Sequence, residues 1–270
     1  MPVLDYRREG ARAPQVTHGV PFYGHDEAEM QSMIIYEEQP LYRDRQDAGR
    51  QLAEMLAGYT GSSALVLAIP RGGVPVAVKV AERLGSTLDV IVTRKIPIPF
   101  NPEAGYGAVA DDGTIVLNEL LVRSLGLSEM QIQRQADEVK AEIDRRVVLY
   151  RGGLPFPPLK DKTAIVVDDG LASGFTMIAA IKSARRRRAG RVVVAVPVAS
   201  DSAFHRVGSL ADEIVCPAIA RTQWFAVASF YHHWYDLSDN EVVSLLEAWR
   251  RQHALAEPIQ RSRPSGDNPF

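Results

Sequence analysis

Short, largely apolar segments alternate with amphipathic helical segments along most of the chain. The apolar segments carry hydrophobic residues on both faces, which is typical of strands in a parallel sheet covered by helices on each side. They lie at residues 64–70, 88–93, 163–167 and 191–200, and the apolar residues 213–219 are expected to close the sheet. Because helical patterns separate them, the sequence predicts an α/β fold, an open, doubly wound and mostly parallel sheet of about five strands.

Changes in composition divide the chain into four predicted regions. Residues 1–43 mix charges, Gly and Pro and are expected to form an N-terminal arm, whereas residues 44–220 form the core. Within the core, the Pro- and Gly-rich residues 94–113 are too long for an ordinary connection and predict a flexible lid. Residues 221–255 predict a C-terminal helix that forms a small hood with the arm, and residues 256–270 have the composition of a disordered tail.

The charge balance and the cysteine content exclude several classes of protein. With 31 Lys+Arg against 33 Asp+Glu, the net charge is -2, so the chain lacks the basic field of a general nucleic-acid binder. The single cysteine, Cys216, cannot form an intrachain disulfide and indicates a reducing compartment. No apolar run reaches about 18 residues. We therefore expect a cytoplasmic protein without a membrane or nucleic-acid partner.

The segment IVVDDGLASGFT, residues 165–176, carries the clearest chemical signal. Its strand delivers Asp168 and Asp169 to the carboxyl end of a parallel sheet, where open α/β folds bind ligands. Adjacent carboxylates accept hydrogen bonds from a vicinal diol, and the small-residue turn presents backbone N–H groups and a helix N-terminus to a phosphate. A diol close to a phosphate describes ribose 5-phosphate. The alternative is an acid pair that caps a helix in another doubly wound protein.

This segment resembles the phosphoribosyl pyrophosphate (PRPP) signature of the type I phosphoribosyltransferases. That signature is a hydrophobic strand, two acids, two variable residues and a small-Thr/Ser-Gly-x-Thr loop. The resemblance implies that Asp168 and Asp169 hold the ribose hydroxyls. It also implies that the following loop holds the 5′-phosphate, through Ala172, Ser173, Gly174, Phe175 and Thr176.

The resemblance implies a reaction and a cofactor as well. Enzymes of this family transfer ribose 5-phosphate from PRPP to a nitrogen base and release pyrophosphate. The implied cofactor is Mg²⁺, held through substrate and water, with Asp168 and Asp169 as the available protein carboxylates and without a dedicated protein cage. A homo-oligomer, a dimer, is also expected.

A second motif, Pro70-Arg71-Gly72-Gly73, follows the first predicted strand. Two glycines let the backbone approach a ligand closely, and Arg71 offers a forked cation to pyrophosphate oxygens. In the family, a basic residue followed by Gly forms the pyrophosphate loop, usually after a cis peptide bond, which would be Pro70–Arg71 here. A simple turn is the alternative.

A third basic element, Arg94-Lys95, stands at the end of the second predicted strand and opens the predicted lid. It resembles the basic start of the flexible loop that closes over PRPP in relatives that act on purines or orotate. Closure would bring both cations to the leaving pyrophosphate. Two solvated cations are the alternative. Together with Arg71 and the acid pair, Lys95 completes the predicted catalytic set.

The acceptor base needs a surface of its own, and Trp224 or Phe225 is the candidate to stack on it. Aromatic packing in the core is an equal alternative. The hypoxanthine-guanine branch of the family has an aspartate at the position of Ala172. Because alanine cannot transfer a proton, the sequence argues against hypoxanthine or guanine as the acceptor.

The resemblance covers residues 44–249 and is strongest to a group of predicted phosphoribosyltransferases with PRGGVP, RKI, NPE, YRGG and VDDG blocks. The alternative function is a non-catalytic module that binds PRPP or a nucleotide, associated with RNA through the arginines at 185–188. A solvated helix face is the simpler interpretation of that run. His232 and His233 are interpreted as structural or rim residues, and Cys216 as a core residue.

Overall fold

The computed structural model describes residues 32–99 and 101–254. Most of the predicted N-terminal arm and the whole predicted tail lie outside these residues. In the part of the chain that the structure describes, no helix is long and apolar enough to cross a membrane.

Eleven strands and seven α-helices are assigned in the described residues. The strands are β1 (Met33–Ile35), β2 (Leu65–Ala68), β3 (Thr87–Val90), β4 (Thr93–Ile98), β5 (Asn101–Ala110), β6 (Ile115–Leu117), β7 (Thr163–Val167), β8 (Arg191–Ala195), β9 (Val198–Ser200), β10 (Glu213–Val215) and β11 (Ala218–Ala220). The helices are α1 (Arg45–Met55), α2 (Gly73–Leu84), α3 (Glu119–Leu125), α4 (Glu129–Arg151), α5 (Phe175–Arg186), α6 (Asp201–Gly208) and α7 (Asp239–Ala254).

The main sheet contains five parallel strands in the order β10-β8-β7-β2-β3. Alternate residues of β2 face opposite layers. Val66 belongs to a core shared with α1, α2, α4 and α7, whereas Leu65 and Leu67 belong to a second core shared with α5 and α6. The predicted doubly wound α/β fold, with its sheet of about five strands, is therefore confirmed.

Local capping residues set several helix ends. The Asp44 carboxylate accepts a hydrogen bond from the Asp47 N–H at 2.8 Å and starts α1. Gly85, with φ of 64°, ends α2, and Ser128 forms a capping box at the start of α4. The short helices α3 and α6 were not predicted.

Two segments predicted as single strands are each divided between two sheets. Strand β8 ends before Pro197 and β9 follows it, while β10 ends before Pro217 and β11 follows it. Strands β9 and β11 leave the main sheet and pair in parallel with β1, in the order β1-β11-β9. The prediction was wrong because proline lacks the N–H that would continue a hydrogen-bonded ladder.

The predicted lid region, residues 94–113, is a β-hairpin and not an irregular connection. Strands β4 and β5 pair antiparallel, and β6 completes a third sheet. Register shifts around Pro97 accommodate the proline on β4, which is an edge strand where a missing N–H is tolerated. Arg94 and Lys95 consequently lie on β4 and not at the end of β3. Movement of the hairpin stays a prediction.

A buried carboxylate anchors the far end of this hairpin. Asp111 follows β5 and lies 2.9 Å from Arg187 Nη2 and 3.4 Å from Arg151 Nη2. Phe156 lies beneath both guanidinium groups, 4.5 Å from that of Arg151 and 4.0 Å from that of Arg187. Arg151 also donates to the Val90 carbonyl oxygen at 2.6 Å and so ties the hairpin to the main sheet.

The arginine run at 185–188 therefore differs from its prediction. Arg187 is an internal ion-pair partner, and the prediction of a solvated helix face is wrong for this residue. Arg185 lies 2.6 Å from Asp212, and Arg186 lies 3.6 Å from Asp112. Arg185 and Arg186 therefore each have an acidic partner within the fold.

Replacing Arg151 with alanine tests this anchor. Arg151 Nε also lies 3.2 Å from Asp89 Oδ1. The substitution leaves the buried Asp111 and the half-buried Asp89 with one cation fewer, so we expect the free energy of unfolding to fall by about 3–5 kcal/mol. Urea unfolding followed by circular dichroism measures it. Arg134→Ala on the exposed face of α4 is the matched control and should change stability by less than about 0.5 kcal/mol. Equal stability of the two variants would contradict the anchor.

Candidate active site

The Arg71-Gly72-Gly73 turn lies directly against the acid pair. Strands β2 and β7 are neighbours in the main sheet, so the turns at their carboxyl ends meet. A Cβ at Gly72 would lie 1.9 Å from Asp169 Oδ2, and one at Gly73 would lie 2.6 Å from the main-chain oxygen that precedes Asp168. Only glycine fits at either position. The peptide bond between Pro70 and Arg71 is cis, as the family resemblance implies.

Asp169 is held by a cation that the sequence analysis did not single out. Arg45 Nε lies 2.8 Å from Asp169 Oδ2, with side chains 8% and 13% exposed. Arg45 also donates to the Tyr235 carbonyl oxygen at 2.9 Å, and its guanidinium lies 3.8 Å from the centroid of the Trp234 ring. One signal was present in the sequence: an arginine at the first position of a helix opposes the helix dipole and so needs an anionic partner.

Burial and mutual repulsion characterise the acid pair. The Asp168 carboxylate accepts a hydrogen bond from the Asp169 N–H at 2.8 Å. Burial and the adjacent negative charge of Asp169 raise the pKa of Asp168 well above its ordinary value. The Tyr231 hydroxyl donates to the Asp169 main-chain oxygen at 2.7 Å and fixes the turn from the other side.

The loop after the acid pair leads into an uncapped helix N-terminus. Ala172 and Ser173 are exposed, Gly174 has φ of 79°, and no side chain caps the start of α5. Ser200 Oγ donates to the Ala172 carbonyl oxygen at 2.7 Å, and Arg206 donates to that of Ser173 at 2.5 Å. These contacts occupy the loop carbonyl groups, while the first N–H groups of α5, which begins with Phe175 and Thr176, can donate to an anion.

Arg71 and Arg94 lie near each other beside the glycine turn. Arg71 Nη1 is 3.8 Å from Asp239 Oδ1, at the first residue of α7. Arg94 makes an ion pair with Glu142 of α4. Burial and the positive charges of Arg146 and Arg71 lower the pKa of Arg94. Arg94 and Arg71 are therefore close enough for their positive charges to interact.

Lys95 is placed differently. It is the next residue along β4, so its side chain leaves the strand on the opposite face from Arg94, and it is exposed. The structure does not bring Lys95 to the acid pair.

The two aromatic candidates have different surroundings. Trp224 is 80% exposed. Phe225 is half-buried, with its ring centroid 5.4 Å from that of Phe230 in the small core beside β9 and β11. The same segment touches the acid turn, because a Cβ at Gly170 would lie 2.7 Å from Val227 Cγ1. Phe225 is thus mainly a packing residue, whereas Trp224 presents a free ring.

Comparisons with known proteins identify relatives of this chain. The sequence profile of a family described as "Phosphoribosyl transferase domain" matches residues 109–229. Two Mycobacterium tuberculosis proteins, from strains H37Rv and CDC 1551, carry provisional names as phosphoribosyl transferases and are each 42% identical over 219 residues, 81% of this chain and 49% of theirs. The crystal structure of TT1426 from Thermus thermophilus is 38% identical, with a TM-score of 0.65, and is matched over 77% of this chain and 98% of its own.

The chain belongs to the type I phosphoribosyltransferase family. It spans about half the length of the two mycobacterial relatives. The acid pair follows β7 and the glycine turn follows β2, at the carboxyl ends of two neighbouring strands.

Phosphoribosyltransferases generally use Mg²⁺ together with PRPP, and the acid pair fits such an ion. Asp168 and Asp169 offer two adjacent carboxylates, while Mg²⁺ retains several water or substrate oxygens among its ligands. Among residues 32–99 and 101–254, no group of three or more His, Cys, Asp or Glu side chains is placed to bind a metal. His232 and His233 are exposed, and Cys216 is buried with its pKa raised to about 12 by burial.

Replacing Asp168 with asparagine tests the charge state of the acid pair. A raised pKa in the folded state means that Asp168 contributes most stability at low pH, below its unfolded pKa, and that this contribution is lost as pH rises through the raised value. We therefore expect Asp168→Asn to have a higher Tm than the wild type at pH 7.5, by a few degrees. The difference should shrink as pH falls.

Thermal unfolding at a series of pH values measures this effect. Asp137→Asn, on the exposed face of α4, is the control and should leave Tm unchanged. A lower Tm for Asp168→Asn at pH 7.5 would show that the carboxylate stabilises the free protein, contrary to the account.

Proposed function

We propose that this phosphoribosyltransferase transfers ribose 5-phosphate from PRPP to a nitrogen base and releases pyrophosphate. The observation that carries the proposal is the close approach of Gly72 and Gly73 to the acid pair. It puts carboxylates suited to a ribose diol beside a basic turn suited to pyrophosphate, and PRPP carries both groups on adjoining carbons.

The proposed binding roles follow from these contacts. Asp168 and Asp169 accept hydrogen bonds from the ribose 2′- and 3′-hydroxyl groups, and Arg45 holds Asp169 in place for this. The 5′-phosphate lies at the N-terminus of α5, against the loop from Ala172 to Thr176. Backbone N–H groups and the positive end of the helix favour an anion there.

The proposed mechanism depends mainly on positioning and charge. As the bond from C1′ to the pyrophosphate oxygen breaks, the electron pair leaves with pyrophosphate and C1′ gains positive character. Arg71 and Arg94 stabilise the departing charge, and Lys95 joins them when the hairpin of residues 94–113 closes as a lid. The acceptor nitrogen forms the new bond to C1′. Bound Mg²⁺, held by substrate oxygens, water and the acid pair, would neutralise part of the pyrophosphate charge.

The acceptor base is proposed to stack on Trp224. Exposed aromatic rings contribute about 1–3 kcal/mol per stacked base, and Phe225 packs behind this segment. Residues near β1 and those after β11 would then form the hood. Since Ala172 has no titratable group, the acceptor is expected to be a base that needs no proton transfer at that position.

Calorimetric titration of PRPP with Mg²⁺ tests the binding step without requiring the correct acceptor. We expect the wild type to bind, and Asp169→Asn to bind about tenfold more weakly or worse because an amide loses one acceptor and the ion pair with Arg45. Asp137→Asn is the matched control and should bind as the wild type does. Absence of binding by the wild type would contradict the proposal.

Pyrophosphate release against a panel of nitrogen bases then separates the enzyme from its alternative. Release with one base identifies the acceptor. Binding of PRPP with no release for any base would favour the non-catalytic regulatory module. The gathering of Arg71 and Arg94 beside the glycine turn favours the enzyme, because a leaving group is what requires such cations.

A further inference from the structure

A cluster of arginines extends from the glycine turn toward α4 and α7. Four guanidinium groups meet two carboxylates there, and four positive and two negative charges leave a net charge of +2. We call this group the arginine cluster. Its members are Arg71, Arg94, Arg145, Arg146, Glu142 and Asp239.

A single carboxylate, that of Asp239, serves three of the arginines. Asp239 Oδ2 is 3.3 Å from Arg145 Nη2 and 3.8 Å from Arg146 Nε, and its Oδ1 is 3.8 Å from Arg71 Nη1. The Tyr150 hydroxyl also donates to Oδ1, at 2.5 Å. The two distances of 3.8 Å are too long for hydrogen bonds. Asp239 thus compensates the charges of Arg71 and Arg146 only loosely.

Arg146 has a buried donor without an acceptor. Its side chain is 13% exposed, and its Nη2 lies 3.2 Å from Glu142 Oε1, which also pairs with Arg94. Its Nε is buried and has no hydrogen-bond partner among the described residues. Buried donors nearly always have partners in native proteins, and one without a partner in a basic cleft indicates that an acceptor binds there.

Repulsion between the arginines affects Arg94. Burial, followed by the positive charges of Arg146 and Arg71, lowers the pKa of Arg94. At Asp239, burial alone would raise the pKa, but the Tyr150 hydroxyl and the charge of Arg146 hold it below its usual value. The Asp239 carboxylate is therefore ionised, yet together with Glu142 it balances only two of the four positive charges. A bound anion with several negative charges would stabilise the cluster.

We propose that Arg145 and Arg146 extend the pyrophosphate subsite and that Asp239 is its resident counter-ion, which pyrophosphate replaces at Arg71 and Arg146. This inference rests on the proposed function and deepens it. Pyrophosphate fits because its many oxygens can each accept from a planar, forked guanidinium. The subsite is continuous with the ribose site, since Arg71 immediately precedes the glycine that lies against Asp169.

In this arrangement Asp239 also affects the release of pyrophosphate. It remains beside the bound pyrophosphate and repels it, because Tyr150 and Arg145 keep hold of the carboxylate. Asp239 therefore weakens product binding and speeds release.

Titration of Mg²⁺-pyrophosphate into the protein tests the subsite. Arg146→Ala should weaken pyrophosphate binding by about tenfold or more, and Arg145→Ala by less because its side chain is more exposed. Arg134→Ala, on the same helix and 78% exposed, is the matched control and should bind as the wild type does. The wild-type affinity should also fall more steeply with salt than that of Arg146→Ala.

Ribose 5-phosphate, which lacks the pyrophosphate group, is the second probe and separates the two proposals. If the wild type binds neither probe, the proposed function fails. If it binds both and Arg146→Ala matches Arg134→Ala, only the present inference fails. Loss of pyrophosphate binding with ribose 5-phosphate binding retained supports the inference.

Asp239→Asn gives an independent result that does not depend on removing a cation. Asparagine still accepts the Tyr150 hydrogen bond but no longer repels the ligand, so pyrophosphate should bind several-fold more tightly and dissociate more slowly. If Arg146→Ala binds neither pyrophosphate nor ribose 5-phosphate, the result with Asp239→Asn decides whether the inference holds. Unchanged or weaker pyrophosphate binding by Asp239→Asn would overturn the counter-ion role, and a change in Tm alone would indicate a purely structural one.

Discussion

The contact between two glycines and two aspartates is the constraint on which the site depends. Neighbouring parallel strands bring Gly72 and Gly73 so close to Asp168 and Asp169 that a Cβ at Gly72 would lie 1.9 Å from a carboxylate oxygen. The backbone of one loop therefore lies directly against the carboxylates of the other. Arg45 forms an ion pair with Asp169, and the buried cores on both faces of the sheet hold the two strands in register.

The site concentrates like charges at both of its ends. The acid pair is partly buried, and its mutual repulsion raises the pKa of Asp168, whereas the arginine cluster carries a net positive charge beside it. In the proposed function, each end costs stability in the free protein and binds one part of PRPP. Such a trade of stability for ligand recognition is common where a site is preorganised for charged substrates.

Much of this arrangement could be predicted from local sequence patterns. The five main strands, the helix caps at Asp44 and Ser128, and the acid pair at the end of β7 follow from short motifs that set local structure. The β4–β5 hairpin was missed because its prolines and glycines are typical of loops, although Pro97 lies on β4, an edge strand that tolerates it. The two divided strands were missed because apolar character continues past Pro197 and Pro217.

The contacts that complete the site could not be predicted from local pattern. Arg45 is separated from Asp169 by 124 residues, and the arginine cluster joins a turn, a hairpin strand and two helices from distant parts of the chain. Their partners are set by tertiary packing. An arginine in the first turn of α1 indicated that an anionic partner lies nearby, but only the fold shows that this partner is Asp169.

Hydrogen exchange measured with and without Mg²⁺-PRPP tests the central claim most directly, because it locates the ligand without any substitution. The account predicts slower exchange at residues 70–74 and 168–178 together, where the two loops meet, and at residues 93–110 if the hairpin closes over the ligand. Protection confined to other parts of the chain, or none at residues 168–178 at saturating ligand, would contradict a PRPP site built on this pair of loops.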